Sequence, residues 1–424
     1  MNTKKYFKEI FEKNEKQDPV IDAIRAISVL SIIAFHVTVG IIQIYNHEKA
    51  TEYILNMPTL LQPLWHGEKG VDAFFLLSAL VIGIPFFKNI ENYNVASAFA
   101  FIKKKILRIY PLFLVALILY TIGQWSYFGK YFLSNLVFLN NIIPGERTII
   151  PVGWFLTVEV QYFILTPMLF LILQKLKFRG IALAGVFFSS VAACAAVLLN
   201  NSALYNRPIT DLFLAQDRGE FSTQMGQFFY ESNIARYGPY VAGFLLAYVR
   251  VFYSEKLSEL FKNKLLNALA FLLSALLIIT PMTLPMYNPS SWFYQPFSAT
   301  QNFWALILSR QMFALGILLL ILSCWYGGGI FKYLTHFFSW KFWRPISKLS
   351  FPIYLFHFPF IAVAAVLVFG TTNINEIISI SFFQGALIFL LAFALTFLFS
   401  IPLYIYVERP FIERGRKKSA QTLV

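Results

Sequence analysis

Three apolar stretches carry ionisable groups that could move a proton. They are IDAIRAISVLSIIAFHV (21–37), VGWFLTVEVQYFILTP (152–167) and SKLSFPIYLFHFPF (347–360). His36, Glu159 and His357 are the groups in question. An imidazole that titrates near neutrality suits a general base, and a carboxylate can orient or polarise such a base. Ionisable groups buried this deep are costly and usually face a cavity or a partner. On a helix, Arg25 and His36 are eleven positions apart, which leaves them about 20° apart in azimuth and about 16 Å apart along the axis. Asp22 lies near the same line. The spacing puts Arg25 at a membrane interface and His36 near the midplane. Snorkelling for Arg25 and interhelical hydrogen bonding for His36 are the plain structural alternatives.

Other polar residues keep similar company. GVDAFFLLSALVIG (70–83) holds Asp72 and Ser78, and a buried serine often bonds only its own helix backbone. KKKILRIYP (103–111) ends a loop in Lys105 and Arg108, which serve either as a topology signal or as a phosphate site. Gln161 and Tyr162 follow Glu159. Ser350, Tyr354 and His357 share one helical face, as either a polar seam between helices or a catalytic edge. Pro352 and Pro359 interrupt the hydrogen-bond ladder there and can open backbone groups to a cavity. Glu408 and Arg409 form an interfacial pair near the end of the last apolar run.

These residues need helices to hold them. The chain has 424 residues, 58% hydrophobic and only 13% charged. Apolar runs long enough to cross a bilayer recur from end to end, whereas barrel strands would be short and alternating. The fold expected is all-α polytopic, with about ten transmembrane helices at 24–45, 70–87, 108–124, 151–173, 181–199, 234–252, 265–286, 303–324, 346–369 and 379–407. Residues 131–143 are too short to cross and are expected to form a re-entrant or interfacial helix. With both termini cytoplasmic, 23 of the 35 Lys and Arg fall on cytoplasmic segments and six, Lys49 among them, on outer ones. That asymmetry accounts for the net charge of +14 without nucleic acid as a partner. The expected division is a cytoplasmic segment 1–23, a membrane domain 24–407 and a basic cytoplasmic tail 408–424. The first apolar run reads as a retained span, since no small-residue cleavage site follows it. Cys194 and Cys324 both fall in apolar runs and are expected to be packing residues. No metal site is expected.

Six short segments in order resemble the acyltransferase-3 family of integral membrane acyltransferases, which includes O-antigen and polysaccharide O-acetyltransferases. They are IDAIRAISVLSIIAFH, GVDAFFLLSA, KKILRIYP, WFLTVEVQYF, SFPIYLFHFP and VERPF, spread from about residue 20 to 413. Departures from the family pattern include Ala23 and Ala26 in place of glycine, and Ala79 for the Gly of a Ser-Gly pair. Lys105 stands for an arginine, and Val160 for a second glutamate. Many relatives carry a C-terminal esterase-like domain, and none is expected in these residues.

The resemblance implies an acyl-CoA donor, usually acetyl-CoA, and a carbohydrate or cell-envelope glycan hydroxyl as acceptor. It also implies a bacterial inner (plasma) membrane and, with no esterase-like domain here, an esterase-like or glycan-assembly protein as a partner. On this reading His36, Glu159 and His357 are catalytic. Arg25, Lys105 and Arg108 hold the donor phosphates, and Asp22, Asp72, Ser78, Gln161 and Tyr354 line the substrate path. The stripe from Arg25 to His36 walls the donor channel. His36 acts as base, or is itself acylated. The competing class is a transporter or exporter with an intramembrane His/Glu relay.

Overall fold

The apolar runs are helices in the computed structural model. It describes residues 3–12, 18–44, 52–122, 124–143, 145–215, 217–287, 289, 291–373, 376–377 and 379–414. Lys49 and the tail beyond Arg414 therefore lie outside the described residues. The principal helices are α1 (Thr3–Phe11), α2 (Pro19–Ile44), α3 (Lys69–Lys88), α4 (Val95–Thr121), α5 (Trp154–Lys175), α6 (Arg179–Leu199), α7 (Asn233–Phe252), α8 (Lys264–Thr283) and α9 (Ala299–Tyr326). They continue with α10 (Ile330–Phe338), α11 (Trp343–Lys348), α12 (Ser350–Phe369) and α13 (Phe382–Leu403).

Capping residues set several of the helix starts. Asp18 Oδ1 accepts the Val20 amide at 2.9 Å ahead of α2. Asn94 and Ser298 accept amides at the starts of α4 and α9, and Ser381 closes a capping box with Gln384 on α13. Each satisfies an amide that a helix start otherwise leaves unpaired.

Each of the ten expected spans corresponds to a helix. Among the described residues, eight helices are long and apolar enough to cross a membrane. A ninth is counted if α4 is joined to the short helical segment Trp125–Leu136, which turns away from it by 115°. The remaining helix, α7, falls short on composition because it holds Arg236 and Arg250. Its side chains are largely buried against α3, α6 and α9, so they need not suit lipid.

Two details of the expected layout change. The basic run 103–108 is not a loop, because α4 begins at Val95 and carries Lys103, Lys104, Lys105 and Arg108 on helical turns. The helix α12 is continuous through both prolines. Pro352 sits in its first turn, where no intrahelical amide bond is required. Pro359 leaves the Leu355 carbonyl without its amide partner, and Tyr120 Oη donates to that carbonyl at 3.1 Å.

Close packing of α3 on α7 positions the site. A Cβ added at Gly243 would fall 2.1 Å from the Leu76 carbonyl oxygen and 2.7 Å from Ala79 Cβ. The small residue that permits this approach is thus on α7, opposite Ala79. At the far end of the chain, α1 docks against the last helix. Arg409 donates to both carboxylate oxygens of Glu9, at 2.5 and 2.8 Å, and Tyr6 Oη donates to Glu413. The described N- and C-terminal segments therefore lie together at one end of the bundle.

Candidate active site

The two histidines meet. His357 Nε2 is 3.1 Å from His36 Nδ1, and the ring centroids are 5.0 Å apart. His357 is fully buried on α12, and His36 is half-buried on α2. Their carbonyl partners assign the tautomers. His357 Nδ1 is 2.7 Å from the Tyr354 carbonyl, which only accepts, so Nδ1 holds the proton. In the neutral ring Nε2 is then an acceptor. His36 Nδ1 lies 2.9 Å from the Ile32 carbonyl and so is a donor, sharing its proton between that oxygen and His357 Nε2. His36 Nε2 is left with a lone pair.

A cavity of about 100 Å³ collects six of the expected site residues: Arg25, Ser78, Lys105, Arg108, Glu159 and Tyr354. Four different helices and α12 supply them. Arg25 is 3.8 Å from Asp22, whose other contact is a 2.9 Å hydrogen bond from Ser347 Oγ. Asp22 thus steadies the guanidinium from outside the cavity. Lys105 Nζ sits 4.6 Å above the Phe163 ring. Lys103 and Lys104 are exposed and do not line this cavity. Glu159 lies in the field of Arg25, Lys105 and Arg108, with the Ser78 hydroxyl within bonding reach.

Some expectations are not matched by this placement. Glu159 is a partner of neither imidazole, whose orientation comes from carbonyls and from each other. Asp72 is not in the lining of this cavity: it pairs with Arg236 at 2.9 Å, both side chains fully buried. Gln161 donates to the Phe138 carbonyl and to Asn141, at 2.9 and 2.8 Å, and so pins the segment 131–143 to α5. The stripe between Arg25 and His36 is closed, since Val29 and Ile32 are fully buried. The cavity approaches the histidines instead through Tyr354, whose ring lies 5.9 Å from that of His357. The rings of Phe74 and Phe155, 6.2 and 5.2 Å from Tyr354, complete an aromatic partition. Tyr354 is held by a 2.8 Å hydrogen bond to the Val152 carbonyl.

Residues 18–405, most of the chain, match the family described as "Acyltransferase domain". The chain belongs to the acyltransferase-3 family. A curated relative, "Nose resistant to fluoxetine protein 6" of Caenorhabditis elegans, is 20% identical over 383 residues, covering 82% of this chain. Those residues make up 45% of that protein, so the chain matches less than half of its length. No solved structure matches.

A second cavity, of about 120 Å³, adjoins α2 at Phe35. Phe35 lines it, and the Phe35 ring meets the His36 ring edge-on at 5.2 Å. Its polar lining includes His66, Glu68, Lys69 and Arg310, none of which the motif reading singled out. Arg310 and Arg236 were visible as charges within apolar runs. His66, Glu68 and Lys69 precede a span and resemble ordinary loop residues. The histidine pair thus stands between a basic cavity and a mostly apolar one.

Proposed function

We propose that this acyltransferase moves an acyl group, such as acetyl, from acyl-CoA to a hydroxyl of a carbohydrate or cell-envelope glycan, with His36 as general base. The observation that carries the reading is the His36–His357 pair, which leaves His36 Nε2 able to accept a proton.

Arg25, Lys105 and Arg108 offer three cations to the donor's phosphates at one end of the molecule. Glu159 opposes them and keeps the cavity from being uniformly positive. The thioester would reach the histidines past the partition of Phe74, Phe155 and Tyr354. The acceptor oxygen attacks the thioester carbonyl carbon as its proton passes to His36 Nε2. The new C–O bond forms, the C–S bond breaks, and the proton leaves with the thiolate as CoA thiol. His357 is a positioning residue: it accepts from His36 Nδ1 and fixes the tautomer. The expected orientation, with both termini cytoplasmic, puts the basic cavity on the side where CoA is made, and a bacterial inner membrane suits it.

The test uses purified protein in nanodiscs, radiolabelled acetyl-CoA and a panel of lipid-linked and soluble glycans. Label in an ester product, with CoA released in equal amount, supports the reading. Glycan movement across a liposome membrane without ester formation would favour the transport class instead.

A further inference from the structure

The second cavity is built from side chains that suit neither bulk water nor a bare sugar. Ile54, Leu212, Met225, Phe229 and Leu306 give it an apolar body. Its charged groups are unevenly matched. Glu68 accepts from Lys69 at 2.7 Å, so these two neutralise each other. Asp72 and Arg236 do the same behind the wall. Arg310 is different. It is only 4% exposed, yet no carboxylate lies within ion-pair distance of it among the described residues. One of its N–H groups donates to the Ala235 carbonyl at 3.2 Å, and its guanidinium stacks 4.5 Å from the Phe229 ring. A buried cation without a carboxylate is costly unless something else supplies the negative charge. Arg310 lines the cavity, so a ligand there can supply it.

We infer that this cavity binds an anionic amphiphile, its hydrocarbon body among the apolar side chains and its carboxylate or phosphate on Arg310. Resting on the acyl-transfer reading, the inference further takes this ligand to be the acceptor, with its hydroxyl reaching His36 past Phe35. The acceptor's reacting group is then carried on an acidic lipid-like molecule and is not a free sugar.

The experiment uses full-length protein in phosphatidylcholine nanodiscs and a photoactivatable fatty acid with a diazirine on its chain. Peptide mapping should place the label on 225–230 and 305–310. Oleate and lysophosphatidate, titrated separately, should each displace it, the more potent one telling carboxylate from phosphate recognition, and zwitterionic lysophosphatidylcholine should not. Arg310→Gln should weaken labelling about tenfold, as expected for a buried charge contact, while Arg310→Lys keeps most of it. Leu306→Trp, which fills the cavity without touching the charge, should abolish it and covers the case of an Arg310 variant that misfolds. Label confined to the lipid-facing surface of α8, or displaced equally by the zwitterionic lipid, would overturn the inference. Acyl transfer is read separately. Transfer to soluble glycans with an unlabelled cavity would sink this inference and leave the acyltransferase reading intact. Specific labelling with no transfer to any acceptor would keep the binding site and remove its role as acceptor site.

Discussion

His357 lies behind His36, its Nε2 3.1 Å from His36 Nδ1, and is itself fixed by the Tyr354 carbonyl. The order carbonyl, His357, His36 makes one ring the support of the other. On the proposed reading the reactive position is His36 Nε2, and His357 acts only through it.

Replacing His357 should reveal that support. His357→Phe should lower kcat about a hundredfold, within the range for general-base catalysis, and leave KM for acyl-CoA unchanged. His357→Gln, whose amide oxygen can still accept from His36 Nδ1, should restore part of the loss. Steady-state kinetics on the three proteins checks this, and a raised KM with normal kcat would assign His357 to donor binding.

The basic run on α4 divides into two pairs. Lys105 and Arg108 line the basic cavity, whereas Lys103 and Lys104 are exposed outside it. Lys105→Ala or Arg108→Ala should raise KM for acyl-CoA about tenfold, the cost of a charge-assisted phosphate contact. Lys103→Ala and Lys104→Ala should leave it unchanged. Equal effects from all four would reduce the run to a general electrostatic surface.

The α3–α7 contact tolerates no side chain at position 243. Gly243→Val should abolish folded, detergent-stable protein, because its Cβ would meet the Leu76 carbonyl at 2.1 Å. Gly185→Ala is the control: a Cβ there meets nothing within 4 Å, and a helical alanine gains about 0.5–1 kcal/mol over glycine. Size-exclusion profiles and melting temperatures distinguish the two.

His66 should make the second cavity acid-sensitive. Burial pushes its imidazole down to about 4 from 6.5, against the raising effect of Glu68. The unfolded chain then binds a proton between pH 6.5 and 4 that the folded chain does not. Stability should fall as pH drops through that window, by up to about 3 kcal/mol at its lower end. His66→Gln should flatten that part of the pH–melting curve. A wild-type curve equally flat between pH 6.5 and 4 would contradict the burial argument.

Much of this was legible in the residues. Long apolar runs announce helices because a bilayer requires backbone bonds to be satisfied within the segment. Arg25, Ser78, Lys105, Arg108, Glu159 and Tyr354 each stood out as polar groups in apolar company, and one cavity holds them all. Pairings across distant segments were less legible. Asp72 looked like a channel residue because its partner Arg236 is 164 positions away. Glu159 looked like the support of an imidazole because spacing along a helix does not say which neighbouring helix a side chain meets. Carbonyl partners such as Tyr354 O leave no mark in a sequence at all. The second cavity was hidden for another reason: its apolar lining uses the same residue types that face lipid. The start of α4 is hard to read from sequence because a lysine run resembles a loop, although lysine is a good helix former.

The most direct measurement is single-turnover acyl transfer from radiolabelled acetyl-CoA, in nanodiscs, by wild type and His36→Ala. Donor binding is measured on the same samples. His36→Ala should insert, fold and bind the donor like wild type, yet transfer at least about a hundredfold more slowly. Wild-type turnover by His36→Ala would contradict this and move the base elsewhere.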